Sequence, residues 1–337
     1  MHAAMKTGCK RALAALAGMI CGAVAQAGEI GMLMLETRAD PALPPVPVVV
    51  WYPTTVASTT WRAGPYELHA TRGAPVAPGP HALVVVSHGS GGSELGHADL
   101  AEHLARRGYI VAAPRHLGDS WDQPAGRGSD VQIVGRPWQA AATLDAVLAD
   151  SRLRPAIDPK RIGMTGFSAG GYTTLVMAGA RPDVARMGRH CAAHPEDPEV
   201  CPAGAATMLR ITRVGWTVPD DHRVRAAVAM APFSTMFDAK DLAGISIPLR
   251  LYMAQDDRVL NNDWNTARIA ALLGARAERG FTLAGGHYVF LAPCGAEMAS
   301  LTPQLCRDPE GVDRAAQHAR LNDEIADFFD RTLPAAH

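Results

Sequence analysis

The strongest constraint lies at residues 161–173, Arg-Ile-Gly-Met-Thr-Gly-Phe-Ser-Ala-Gly-Gly-Tyr-Thr. A short apolar run at 162–165 leads into Gly166-Phe167-Ser168-Ala169-Gly170, and helix-compatible residues continue from 171 to 180. The serine therefore falls on a strand-to-helix joint. A turn that tight admits almost no side chain two residues before or after the serine, and Gly166 and Gly170 meet that demand. Ser168 is expected in a strained backbone conformation, its hydroxyl above the sheet edge at a helix N-terminus, where free N–H groups favour developing negative charge.

A serine in such a turn needs a sheet around it, and the flanking sequence supplies one. Residues 29–37 and 46–52 read as antiparallel strands at one edge, separated by a proline-rich stretch at 40–47 that cannot be helical. Residues 61–80, rich in Gly, Pro and polar residues, read as a long loop. The run at 82–86 is continuously apolar and rich in valine, as expected of a strand buried on both faces. Helical periodicity follows at 98–107, a short strand at 109–113, and a further helix at 134–149. Strand, helix, strand, helix, strand predicts a mostly parallel sheet covered on both faces.

Residues 182–223 interrupt this rhythm with five prolines and little sustained periodicity. They are expected to form an insertion before the sixth strand, over the carboxyl edge of the sheet, either shaping a substrate site or standing clear of it. Strands at 224–230, 249–254 and 279–283, a helix at 264–273 and an amphipathic helix at 312–329 complete one catalytic domain over 28–337.

In open α/β sheets, reactive groups gather at the carboxyl ends of strands. Ser168 follows one such end, Asp256-Asp257 another, and Gly285-Gly286-His287 the last. The order Ser, Asp, His is that of the α/β-hydrolase sheet. A serine hydroxyl is a poor nucleophile unless a base takes its proton, which assigns His287 as base and leaves Asp256 and Asp257 competing to orient it. The spacing Asp-x-Val, with the valine turning back into the core, favours Asp257. The N–H groups of Ala169 and of Ser90, in the loop Ser87-His88-Gly89-Ser90-Gly91-Gly92, are the candidate oxyanion donors. His88 is expected to be structural, and no role is assigned to His97, His103 or His116.

With 32 Lys+Arg against 33 Asp+Glu, charge gives no case for nucleic-acid binding. Lys6, Lys10 and Arg11 precede an apolar run at 12–25 and the small residues Ala25-Gln26-Ala27, the pattern of a secretory signal over 1–27. A periplasmic or secreted protein without stable membrane insertion is expected. Removing that segment takes away Cys9 and Cys21 and leaves Cys191, Cys201, Cys294 and Cys306. Pairing between neighbours is the simplest of the three possible disulfide arrangements. His190 and His194 flank Cys191, but in a loop without regular metal-ligand spacing, so no metal is expected.

The stretches 47–53 with Val-Trp-Tyr-Pro, 87–92, 166–171, 255–259 and Gly286-His287-Tyr288-Val289-Phe290-Leu291-Ala292-Pro293-Cys294 together resemble secreted α/β-hydrolases grouped as dienelactone hydrolases. They are similar also to plasma-type platelet-activating-factor acetylhydrolases. The resemblance implies Ser168, Asp257 and His287 as a triad, and no metal or organic cofactor. A small-molecule or lipid ester is the expected substrate. One residue departs from the pattern: dienelactone hydrolases use a cysteine nucleophile, where this chain has Ser168. The expectation is an exported serine esterase working through an acyl-enzyme, with a peptidase or a catalytically silent binding protein as alternatives on the same fold.

Overall fold

The computed structural model describes residues 28–39, 43–201 and 209–335. The expected signal segment at 1–27, with Cys9 and Cys21, lies outside them, as does part of the proline-rich stretch after the first strand.

The alternation of side chains along each strand decides how the layers stack. In β6 (His81–Ser87), Ala82, Val84 and Val86 join a core that includes Leu100 and Leu104 of α1 (Ala98–Arg106) and Ile325, Phe328 and Phe329 of α8 (Arg314–Thr332). Leu83 and Val85 point the other way, against Ala140, Leu144 and Val147 of α2 (Arg136–Ala149). A strand apolar at every position is thus a strand with a helix layer on each face.

The sheet has nine strands in the order β11-β10-β9-β8-β6-β7-β2-β1-β5. β1 (Glu29–Glu36) and β2 (Pro47–Thr54) run antiparallel, Glu29 opposite Thr54, and β2 joins β7 (Ile110–Pro114) antiparallel. From β7 onward β6, β8 (Ile157–Phe167), β9 (Ala226–Met230), β10 (Leu249–Tyr252) and β11 (Glu278–Arg279) are parallel. The helix α3 (Ala169–Met177) leaves β8 directly and packs beneath β8 and β9, while α5 (Thr266–Leu273) lies against β10. This is the expected mostly parallel α/β-hydrolase sheet.

Three local expectations need correction. Residues 61–80 are not simply a loop: β3 (Thr60–Ala63) and β4 (Tyr66–His69) form a hairpin, and β5 (Thr71–Arg72) pairs with β1. Its apolar residues are sparse but well placed. Leu68 is fully buried, the Arg72 guanidinium stacks on the Trp61 ring at 3.3 Å, and Trp61 Nε1 donates to the Ala70 carbonyl. The last strand is shorter than expected. Pairing with β10 lapses after Arg279 and resumes as a bridge at Leu283, and between them Gly280 lies directly against the Tyr252 ring.

The insertion at 182–223 holds a helix, α4 (Val184–Ala193), that its prolines concealed. Asp183 caps it by accepting from the Ala185 N–H, and Met187 and Cys191, four residues apart, bury one face. A disulfide joins Cys191 to Cys201, and a second joins Cys294 to Cys306 around the short helices α6 (Ala296–Leu301) and α7 (Pro303–Cys306). Both are the neighbour pairings. No helix among the described residues is long and apolar enough to cross a membrane.

Candidate active site

Ser168 stands between the end of β8 and the start of α3 with φ 55° and ψ −117°, a conformation that costs a non-glycine residue of order 1–3 kcal/mol. The surroundings hold it there. Its N–H donates to the Met230 carbonyl at 2.9 Å, and its own carbonyl accepts from Tyr172 and Phe233 N–H. A Cβ at Gly166 would lie 2.3 Å from the Gly170 carbonyl oxygen, and one at Gly170 only 1.9 Å from that of Ser87. The glycine spacing read from the sequence is a packing requirement between two backbones.

The later strand ends deliver the partners. His287 opens the short 3-10 turn His287–Phe290, and its Nε2 lies 3.0 Å from Ser168 Oγ. Its Nδ1 lies 2.7 Å from Asp257 Oδ2. The other carboxylate oxygen of Asp257 accepts from the Val259 and Leu260 N–H groups at 3.0 and 2.7 Å, so both oxygens are engaged. The carboxylate fixes Nδ1 as the donor, which leaves Nε2 to accept from the serine. Phe167 packs on the His287 ring with centroids 4.6 Å apart. His287 and Asp257 are buried, whereas Asp256 is exposed and lines a separate cleft with Arg258 and Arg307.

The loop after β6 approaches from the opposite side. Gly91 and Gly92 donate to the Asp119 and Gly89 carbonyls, and the Ser90 N–H just before them has no intramolecular acceptor among the described residues. The Ala169 N–H lies in the first turn of α3, where amides lack an intrahelical partner. His88 is structural: Nδ1 donates to the Gly89 carbonyl and Nε2 accepts from the His116 N–H. Burial, reinforced by the nearby Arg136 charge, lowers its pKa to about 3, so it stays neutral.

Sequence reading missed what holds this loop. Asp119 is fully buried and accepts from Ser90 Oγ (2.5 Å), Gln132 Nε2 (2.8 Å) and Arg136 Nη1 (2.7 Å). Arg136, equally buried, also donates to the His88 carbonyl and to Ser87 Oγ. Burial pushes the Asp119 carboxyl up, but the Arg136 charge and the hydrogen bonds from Ser90, Gln132 and Arg136 outweigh it and hold it below its ordinary value. Asp119 sits just beyond β7, so inspecting every strand end would have flagged it. Arg136 carried no such signal, since a lone arginine in a helix reads as surface.

Ser168 opens into a cavity of about 480 Å³. Ile133, Tyr172, Leu209 and Phe233 give it an apolar wall, Arg127 and Gln132 a polar edge, and Tyr288 flanks His287. Met187, Glu199, Val200 and Arg210 also reach it, so the insertion contributes to the cavity rather than standing clear. Among the described residues, no cluster of His, Cys, Asp and Glu could hold a metal ion.

Known proteins resemble this chain in part of its sequence and in its fold. Residues 68–228 match the model of the dienelactone hydrolase family. The chain is 33% identical to cutinase est1 of Thermobifida alba over 106 residues, 31% of this chain and 32% of that protein. It is 32% identical to cutinase 2 of Thermobifida cellulosilytica over 106 residues, 31% of this chain and 37% of the relative. The chain thus spans about a third of the length of these curated relatives. Among solved structures, a ferulic acid esterase from Streptomyces cinnamoneus superposes with a TM-score of 0.59 at 22% identity, covering 93% of this chain and 92% of that one. The fold resemblance extends over nearly the whole chain, beyond the family match, which ends before Asp257 and His287.

Proposed function

We propose that this α/β-hydrolase is a carboxylic-ester hydrolase that works through an acyl-enzyme on Ser168. The observation that carries the reading is the hydrogen-bonded series Asp257, His287, Ser168, buried at its acid end and open to a cavity at its serine end. His287 Nε2 takes the hydroxyl proton as Oγ attacks the ester carbonyl, and Asp257 stabilises the imidazolium that results. The oxyanion is received by the Ser90 and Ala169 N–H groups. Collapse expels the alcohol, protonated by His287, and water activated by the same base releases the acid and restores the serine. The relatives named as cutinases and a ferulic acid esterase support an ester over an amide.

The apolar wall suits an uncharged acyl or aryl group, so a small-molecule or lipid ester is the proposed substrate. The chemistry requires no metal or organic cofactor. Export is proposed from the signal pattern at 1–27 together with the disulfides Cys191–Cys201 and Cys294–Cys306, which persist in oxidising compartments.

The test is hydrolysis of p-nitrophenyl esters from acetyl to palmitoyl by the wild type and Ser168→Ala, with fluorophosphonate labelling of both. Turnover and labelling lost together in Ser168→Ala are expected. Ester turnover that survives the substitution would sink the proposal. A wild type that neither turns over esters nor takes the label would favour the binding-protein alternative.

A further inference from the structure

The turn that carries His287 is gripped from below by a histidine to which sequence reading gave no role. His318, on α8, is buried, and both ring nitrogens meet acceptors. Nδ1 lies 2.6 Å from Asp99 Oδ2 of α1, and Nε2 lies 2.8 Å from the Val289 carbonyl oxygen, two residues after His287. A neutral imidazole has one N–H and can satisfy only one of these acceptors, so the geometry calls for both nitrogens to be protonated. The carboxylate it faces is held by this cluster: Asn322 Nδ2 donates to the same Asp99 oxygen at 3.1 Å.

We propose, building on the esterase reading, that His318 is a positioning residue for His287: an imidazolium clamped between Asp99 and the Val289 carbonyl, it fixes the turn that presents the catalytic base to Ser168. The path is short and continuous. Val289 and Phe290 are buried in the same turn as His287, Phe290 packs on Phe167, and Phe167 packs on the His287 ring. His97, preceding α1, places its ring edge-on to Phe167, closing the cluster.

The charges facing His318 decide how it titrates. Asp99 and His97 come from the α1 side and Arg314 from its own helix, while the His287 turn presents the Val289 carbonyl. Glu102 and His103, further along α1, feel the Asp99 charge in turn. Burial alone would lower the His318 pKa, but the Asp99 hydrogen bond and charge and the Val289 carbonyl outweigh it and raise it above 6.5. Burial likewise disfavours His97 as a cation and takes its pKa to about 4, so it is not the group that carries the charge. A raised histidine pKa stabilises fully below the unfolded value and is lost as pH rises through the folded value. The His287 turn should therefore loosen on the alkaline side.

Nitrogen-15 spectra of the labelled full chain test this without relying on turnover. At neutral pH both His318 nitrogens should be protonated, and the His287 ring signals should shift with rising pH in step with His318. Kinetically, His318→Gln keeps one donor but cannot titrate. It should lower kcat by about ten- to a hundredfold with KM little changed, and abolish the alkaline limb of the pH profile. Asp99→Asn should move that limb to lower pH. A neutral His318 at pH 7, or His287 signals indifferent to its titration, would overturn the proposal even were the chain to hydrolyse no ester. So would an alkaline limb unchanged in folded variants.

Discussion

Replacing Asp257 by asparagine removes one charge and almost no volume, and the structure fixes how the amide must sit. Val259 and Leu260 direct two N–H groups at Oδ1, so the asparagine oxygen stays there and its NH2 faces His287 Nδ1. The reverse orientation would set the NH2 against two buried donors, at about 1–3 kcal/mol for each unsatisfied group. With a donor opposite it, Nδ1 must become the acceptor. The ring proton then moves to Nε2, the atom that should accept from Ser168. A triad in the wrong tautomer loses about 10⁴ in kcat, or about 5.4 kcal/mol of barrier. Stability changes less, because the three hydrogen bonds at residue 257 lose the carboxylate charge but none is left unmade, at about 1 kcal/mol each. The assay is kcat and KM on a short p-nitrophenyl ester beside thermal unfolding, with Asp256→Asn as the control expected within about twofold of wild type, as befits an exposed side chain outside the cavity. A folded Asp257→Asn enzyme retaining more than about a tenth of wild-type kcat, or an equal loss in Asp256→Asn, would refute the reasoning.

Gly170→Ala forces a Cβ to within 1.9 Å of the Ser87 carbonyl oxygen, so the backbones must part. A stability loss at or above the upper end of the ~1–3 kcal/mol typical of overpacking is expected in denaturant unfolding, with activity lost alongside. Arg136→Met leaves Asp119 buried without its guanidinium, which should cost about 3–5 kcal/mol. In the wild type the depressed Asp119 pKa contributes stability that is present above the ordinary carboxylate value of 3.8 and lost as pH falls through the folded value. In the variant burial dominates, and stability measured against pH should instead fall as pH rises. Cys294→Ser with Cys306→Ser opens a short loop beside the His287 turn, and a loss of about 2–4 kcal/mol is expected in thermal unfolding under oxidising conditions.

The reach of the sequence can be judged residue by residue. Gly166, Ser168, Gly170 and His287 were legible because a tight turn and a strand end each leave a mark in adjacent residues, and the unbroken apolar run at 82–86 announced a strand covered on both faces. Neighbouring cysteines likewise anticipated both disulfides, since short loops pair at low entropic cost. Other features depend on residues far apart in the chain. Asp257 could be favoured over Asp256 from sequence, but only the fold shows it buried beneath His287 with both oxygens engaged. Arg136 reaches back 48 residues to the His88 carbonyl, and His318 reaches back 219 to Asp99. Such partners are set by how helices dock on the sheet, and docking leaves no local pattern. The cavity is of the same kind, with walls drawn from residues 90 to 288. Sequence alone indicated the alternating strands and helices of the parallel sheet and which residues were candidates to react. The tertiary structure decided which charges lost their water and which donors faced them, because burial and hydrogen-bond geometry belong to the packed chain.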